Sequence, residues 1–222
     1  MSIEDPTFAQ ALAEFETTWA DPRNTVAELP PVDINRTLSS RYEPRVRMTR
    51  TQVWDMEVKK AWDPLTYIPY VVSEAESWAS APLPDGRRHW RSSIQKAWLS
   101  NARGLVLEDV FTDPQRQRVL FLGRTALTGP DGRARFADPY QPLFHVEHAV
   151  GGTESEPLNL WRIVVLTDKP DPRYAEEFAA MTAEGWLPGF LEIYLRHDLG
   201  VPLRRAVTWH FEDRIRLPDG TD

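Results

Sequence analysis

The chain contains no cysteine, which excludes disulfide scaffolds, thiolate nucleophiles and cysteine-based zinc sites. It also lacks Gly-x-Gly-x-x-Gly, a Walker loop, Gly-x-Ser-x-Gly and His-Glu-x-x-His, which removes the direct signatures of dinucleotide oxidoreductases, NTPases, α/β hydrolases and zincins. No apolar run approaches the length of a membrane span, and "MSIEDPTFAQ" has neither a basic nor an apolar leader region. These features predict a cytoplasmic protein without a membrane partner. Positive charge is in deficit: 26 Lys and Arg against 33 Asp and Glu give a net charge of −7. That balance disfavours nucleic acid as a partner unless the cations are segregated on one face. The densest basic stretch, Arg41 to Arg50, spaces its arginines as on the wet side of an extended segment.

What is present is an ordinary globular composition over 222 residues, 41% hydrophobic and 27% charged, with nine Trp, nine Phe and six Tyr. That aromatic load suits a thick core or a pocket lining. The expected organisation is one domain over 1–222: an N-terminal helix and linker at 1–35, a core at 36–199 and an extension at 200–222. Residues 5–19 read as a helix with Asp5 as N-cap, Pro6 in the first turn and Phe8, Leu12, Phe15 and Trp19 on one stripe. Residues 36–48 read as extended. Thr49 is placed to cap a second helix, "RTQVWDMEVKKAW", which Asp63-Pro64 ends. Strands are expected near 70–79, 88–99, 103–111, 117–126, 142–150 and 158–167, joined by Pro-Asp-Gly, Asp-Pro and Gly-Gly turns that favour sequential antiparallel pairing. A long helix follows from Asp171, with Tyr174, Phe178 and Met181 on one face, kinks at Gly185, Pro188 and Gly189, and an end at Gly200. The tail "RRAVTWHFEDRIRL" reads as strand-like.

This order of elements over about 36–199 resembles the helix-grip fold of the Bet v 1 and START-like superfamily. The resemblance implies an α+β architecture in which a curved antiparallel sheet wraps a long C-terminal helix and encloses an apolar cavity. The N-terminal helix and the C-terminal tail depart from the family pattern.

The densest chemical cluster is "FHVEHAV". In a strand, His145 and Glu147 lie on one side while Phe144, Val146, His148 and Val150 lie on the other, so the two histidines do not share a metal. A site completed by His89, His197 or His210 is the alternative, and no metal is expected. His148 is the polar group on an apolar face, either a hydrogen-bonded core histidine or a pocket acid/base; His145 and Glu147 read as a solvated pair. In "GLVLEDVF", Glu108 and Asp109 fall on opposite faces, each among apolar neighbours, and burial would raise the pKa of whichever points inward. Arg124 and Arg162 are candidate partners. Asp55 and Lys59 are spaced as an exposed helix pair, and Glu57 as a solvated residue or one at a cavity mouth. Ser93-x-x-Lys96 diverges in a strand, and His197-Asp198 fits a helix terminus.

Three functions follow. The resemblance implies a cofactor-independent cyclase or dehydratase of polyketide-cyclase type, acting on a hydrophobic intermediate of secondary metabolism. In it His148 with Asp109 or Glu108 would exchange protons and Arg124 would hold an oxygen. Substrate would be folded by Trp54, Glu57, Trp62, Phe144 and Trp161, with Trp90, Trp98 and Trp186 as further aromatic wall. The same cavity could instead carry a lipid or other hydrophobic ligand without chemistry. In the third reading the N-terminal helix or the tail docks a partner subunit or a second copy. No cofactor is expected.

Overall fold

The computed structural model describes residues 6–205 apart from Pro44, Tyr70 and Gly185. Six helices are present among these residues: α1 (Phe8–Ala20), α2 (Ile34–Arg41), α3 (Arg50–Trp62), α4 (Pro64–Tyr67), α5 (Pro172–Glu184) and α6 (Trp186–His197). The strands are β1 (Thr25–Glu28), β2 (Val32–Asp33), β3 (Tyr42–Glu43), β4 (Val72–Leu83), β5 (Gly86–Lys96), β6 (Arg103–Asp113), β7 (Arg118–Arg124), β8 (Ala126–Thr128), β9 (Ala134–Phe136), β10 (Phe144–Gly152), β11 (Pro157–Val165) and β12 (Arg204–Arg205).

The main sheet runs β1-β11-β10-β7-β6-β5-β4, with β2 also on β11, and every pairing is antiparallel. Tight turns set this register. Gly152, at φ 74°, closes the β10–β11 hairpin, a backbone conformation that glycine adopts without strain.

Both faces of the sheet are covered. On one face α3 packs on β7, β10 and β11, and α5 packs on β1. A core including Val110, Phe121, Val146, Ile163 and Phe178 forms there. On the other face α1 lies over β6 and β7, where Phe8 and Phe15 meet Phe111, Leu120, Leu122 and Val164. The burial of the central strands follows: β6 is buried at every position from Val106 to Asp113, without the in/out alternation of a half-wet sheet.

The local signals for α1 and α3 operate as expected, with one shift. Thr7 caps α1, in a reciprocal capping box with Gln10, and the predicted cap Asp5 lies outside the described residues. Thr49 and Gln52 form the same box at α3. The expected extended segment at 36–48 is corrected: Ile34–Arg41 is helical, with Asp33 accepting from the Arg36 N–H as cap. Ile34 and Leu38 are wholly buried in a core with Met48, Val53, Met56 and Tyr194. Burying that stripe outweighs the weak helix preference of Asn, Thr and Ser. The β8–β9 hairpin was not expected; Thr128 accepts from the Trp78 indole there. The predicted C-terminal helix is present as α5 and α6, with Tyr174 and Phe178 buried. Its expected kink at Gly185, the side chains of Met181 and Trp186, and His210 with the tail from 206 onward lie outside the described residues. Arg204 and Arg205 pair with β3.

Candidate functional site

Between α3, the segment of Ile68 and Val71 that follows α4, helices α5 and α6, and the concave sheet face lies a cavity of about 100 Å3, several water volumes on a scale where one water needs about 10–15 Å3. Its wall is mostly apolar, with Phe121, Phe144, Trp98, Trp161, Phe178 and Phe190 contributing rings. His148, Lys60, Arg91, Glu108 and Gln95 are the polar and charged groups in that wall.

The centre of its chemistry is Glu57, one turn ahead of Lys60 and Ala61 on the inner side of α3 and fully buried. Its carboxylate accepts from Lys60 Nζ at 2.8 Å, from Asn159 Nδ2 at 2.8 Å and from His148 Nδ1 at 2.8 Å. Burial alone would raise this carboxyl, but Lys60 and His148 hold it well below the usual range. Lys60 is moved down by burial, with Glu57 opposing the shift. Its ammonium also lies 4.6 Å from the Phe190 ring centroid. His148 is brought down to about 4, by burial first and then by Lys60, with Glu57 opposing. The ring is therefore neutral near pH 7. Against a carboxylate, Nδ1 carries the proton and donates, which leaves Nε2 with its lone pair and no partner among the described residues. The imidazole is held flat against Trp161, ring centroids 5.1 Å apart at 20°, and edge-on to Phe121.

Beside this cluster Arg91 donates to Glu108 at 2.8 Å through Nε and to the Ala61 carbonyl at 3.1 Å. Its guanidinium lies 4.6 Å from the Phe121 ring centroid. The cavity's ions are thus matched, Lys60 with Glu57 and Arg91 with Glu108.

The structure brings together His148, Glu108, Glu57, Phe144 and Trp161, and it corrects the other expected site residues. Asp109 and Arg124 lie on the convex face, where Asp109 accepts from Arg88 at 2.8 Å and Arg124 pairs with Glu14 of α1. Neither reaches the cavity, because Asp109 alternates with Glu108 along β6. Trp54 packs between two cores, Trp62 is 44% exposed with its edge on His89, and Trp90 stands on the convex face against Trp78. Glu57 is not on a solvated helix face. His145 and Glu147 are not a solvated pair either, because α1 covers them: His145 Nδ1 accepts from the Gly123 N–H at 3.0 Å, and Glu147 pairs with Arg162 at 2.5 Å and with Arg118. Sequence reasoning missed Lys60, Asn159 and Arg91 altogether. The one available signal for Lys60 was its place one turn after Glu57: the spacing of Trp54, Val58, Ala61 and Trp62 suggests that side of the helix as the apolar one, whereas the buried side carries Val53, Met56, Glu57, Lys60 and Ala61. Asp55 and Lys59 pair at 2.8 Å, as their spacing predicted. Among the described residues no group of three or more His, Asp or Glu is arranged to hold a metal.

The architecture has counterparts among solved structures. Ara h 8.0201 superposes with a TM-score of 0.51 at 8% identity, over 78% of this chain and 99% of its own. The chain has the helix-grip fold of Bet v 1 and START-like proteins. Two further helix-grip structures align with lower scores. A START superfamily protein from Mycobacterium smegmatis gives 0.47 at 11% identity, over 75% of this chain and 94% of its own. The Zhui aromatase/cyclase from Streptomyces sp. R1128 gives 0.48 at 10% identity, over 78% and 96%. At these identities what is shared is the fold. No protein-family model matches the sequence, and no curated protein matches it. No helix among the described residues is long and apolar enough to cross a membrane.

The buried imidazoles set a pH dependence of stability. His148 and His89 both titrate near 4 in the fold, His89 through burial opposed by a hydrogen bond to the Ala61 carbonyl, against 6.5 when unfolded. Between those values the unfolded chain binds more protons, so stability falls as pH drops from 6.5 toward 4. At about 1.4 kcal/mol per pKa unit, each ring should cost about 2–3 kcal/mol between pH 7 and 4.5. His145, also lowered by burial, adds to the same trend. Urea midpoints across that range should show this, and His89→Gln should remove one ring's share of it, about 2–3 kcal/mol. A flat profile would mean that none of these rings is buried neutral.

Proposed function

We propose that this protein is a cofactor-independent enzyme of cyclase or dehydratase type, which takes a proton from a hydrophobic small molecule held in the cavity. One observation carries the reading: a neutral, aromatic-sandwiched His148 has Nδ1 fixed on the buried Glu57 carboxylate and Nε2 unpartnered in a wall that lines a cavity. A base oriented by a carboxylate in this way acts without having to reorient, and the carboxylate stabilises the imidazolium as it forms. Lys60, beside the same carboxylate, supplies positive charge for an oxygen that gains electron density.

The ring opening of 5-nitrobenzisoxazole isolates this step, since it consists of one proton abstraction with N–O cleavage. The protein should accelerate it over buffer, with a rate that rises through about pH 4 and is level above about pH 6. His148→Gln should lower the rate about 100-fold while far-UV circular dichroism is unchanged. An unaltered rate in that variant removes the catalytic reading.

A second reading, a carrier of hydrophobic ligands, is favoured by the placement of Asp109 and Arg124 on the opposite face and by the mutual pairing of the cavity's ions. Under it the variant binds ligand normally and the wild type shows no proton transfer to lose.

A further inference from the structure

Lys60 places a buried amine in the cavity wall. Its charged end, and not only its stem, is at that wall: Nζ lies 4.6 Å from the Phe190 ring centroid and 5.5 Å from that of Trp161, and both rings line the same cavity. Glu57 accepts from Nζ through both carboxylate oxygens, at 2.8 Å and 2.7 Å. No other hydrogen bond reaches Nζ among the described residues, so one position of the tetrahedral nitrogen is left open.

The surroundings favour the free amine. Burial pushes the ammonium down from the ordinary lysine range; Glu57 opposes that shift, and the like charge of Arg91 adds to it. A lysine desolvated in an apolar wall beside a second cation is the setting in which an amine attacks carbonyl carbon. When one proton leaves, the two remaining N–H bonds stay on the two Glu57 oxygens, which turns the lone pair into the open position. The chain's other lysines, Lys59, Lys96 and Lys169, lack this setting. Lys59 is clamped by Asp198 and Asp55, whose carboxylates raise its pKa, and neither Lys96 nor Lys169 lines the cavity.

We infer that Lys60 is a catalytic amine that forms an iminium with a small aliphatic aldehyde or ketone in the cavity. The step balances without a further reactant. As Nζ bonds the carbonyl carbon, the C=O π pair moves to oxygen, which takes one of the three ammonium protons. The resulting carbinolamine expels that oxygen as water with a second proton. The nitrogen lone pair closes the C=N bond, and the third proton stays on nitrogen. One positive charge is present before and after, so the pairing with Glu57 is preserved. The iminium then acidifies the neighbouring C–H, the bond that a base at His148 Nε2 attacks. This second step rests on the reading of His148 given above; the iminium itself does not.

Propanal tests the two steps separately. Cyanoborohydride reduces an iminium to a stable propylamine, so peptide mapping at pH 7 should find the propyl label on Lys60, taken up about tenfold faster than by Lys96 or Lys169. In denaturing urea that preference should disappear, because it comes from the folded wall. Lys60→Arg keeps a cation opposite Glu57 and has no amine to add, so its label should be confined to the remaining lysines. Lys60 left bare in the wild type, or labelled no faster in the folded chain than in urea, overturns the inference. Without the reductant, deuterium from D2O should enter C2 of propanal with the wild type and not with Lys60→Arg. His148→Gln should keep the label on Lys60 and lose the exchange. Exchange that is absent from the wild type, or undiminished in His148→Gln, would remove the base role alone and leave the iminium standing.

Discussion

Glu57→Ala should destabilise the protein by about 3–5 kcal/mol, the largest effect expected of a polar substitution in this fold. The carboxylate is fully buried and receives three donors at 2.8 Å, from Lys60, Asn159 and His148. Removing it strands an ammonium that is 2% exposed, in a region whose remaining neighbours are the Phe190 and Trp161 rings and, nearby, the like charge of Arg91. Lys60 would be driven toward its neutral form, and water would have to enter to satisfy Asn159. The cost is that of an uncompensated buried charge, so it should shrink when the cation is removed as well. Glu57→Leu combined with Lys60→Met should recover about half of the loss, because two matched apolar chains replace two matched ions. Chemical denaturation of the single and double variants checks both numbers. A double variant no more stable than the single one would show that Asn159 and His148, and not Lys60, are what the carboxylate satisfies.

Phe15→Ala should cost about 3–5 kcal/mol by opening a cavity under α1. The ring has no exposure and packs with Phe111, Leu120, Leu122 and Val164, while the Arg162 guanidinium covers it at 4.9 Å from its centroid. Loosening α1 would also strain the ion pairs it makes over the convex face, Glu14 with Arg124 and Glu16 with Arg162. Because the central sheet separates this layer from the cavity, the folded fraction should keep its rate with 5-nitrobenzisoxazole. Thermal melts and activity normalised to folded protein test the two halves of that expectation. A parallel fall in intrinsic rate would show that α1 shapes the cavity through the sheet.

The two buried layers explain which parts of the site could be read from the sequence. Strand parity assigns His148 to the face opposite His145, and Glu108 to the face opposite Asp109, without coordinates. Parity does not say which face looks into a cavity. With one wet face, alternating polarity would have decided it, but here α1 covers the convex side, so Asp109, Glu147 and His145 are as buried as Glu108. The N-terminal stripe of Phe8, Leu12 and Phe15 announced that something had to be covered; what it covered was not written locally. Glu57 and His148 show the same limit from the other side. They are 91 residues apart, and the spacing of Glu57 on its helix fits a solvated face as well as a buried one.

From the sequence alone came what depends on near neighbours along the chain: the existence of α1 and the Thr49 cap that starts α3, the strand lengths and turns that dictate antiparallel pairing, the element order of the helix-grip fold, and the separation of the two histidines. Such features arise from backbone geometry and hydrogen bonds within a few residues. Only the tertiary structure decided that residues 34–41 are helical, that Glu57 serves His148, and that Asp109 and Arg124 belong to the outer layer. Those outcomes turn on which surfaces lose water, and desolvation is settled by elements distant in the chain, not by the residues that undergo it.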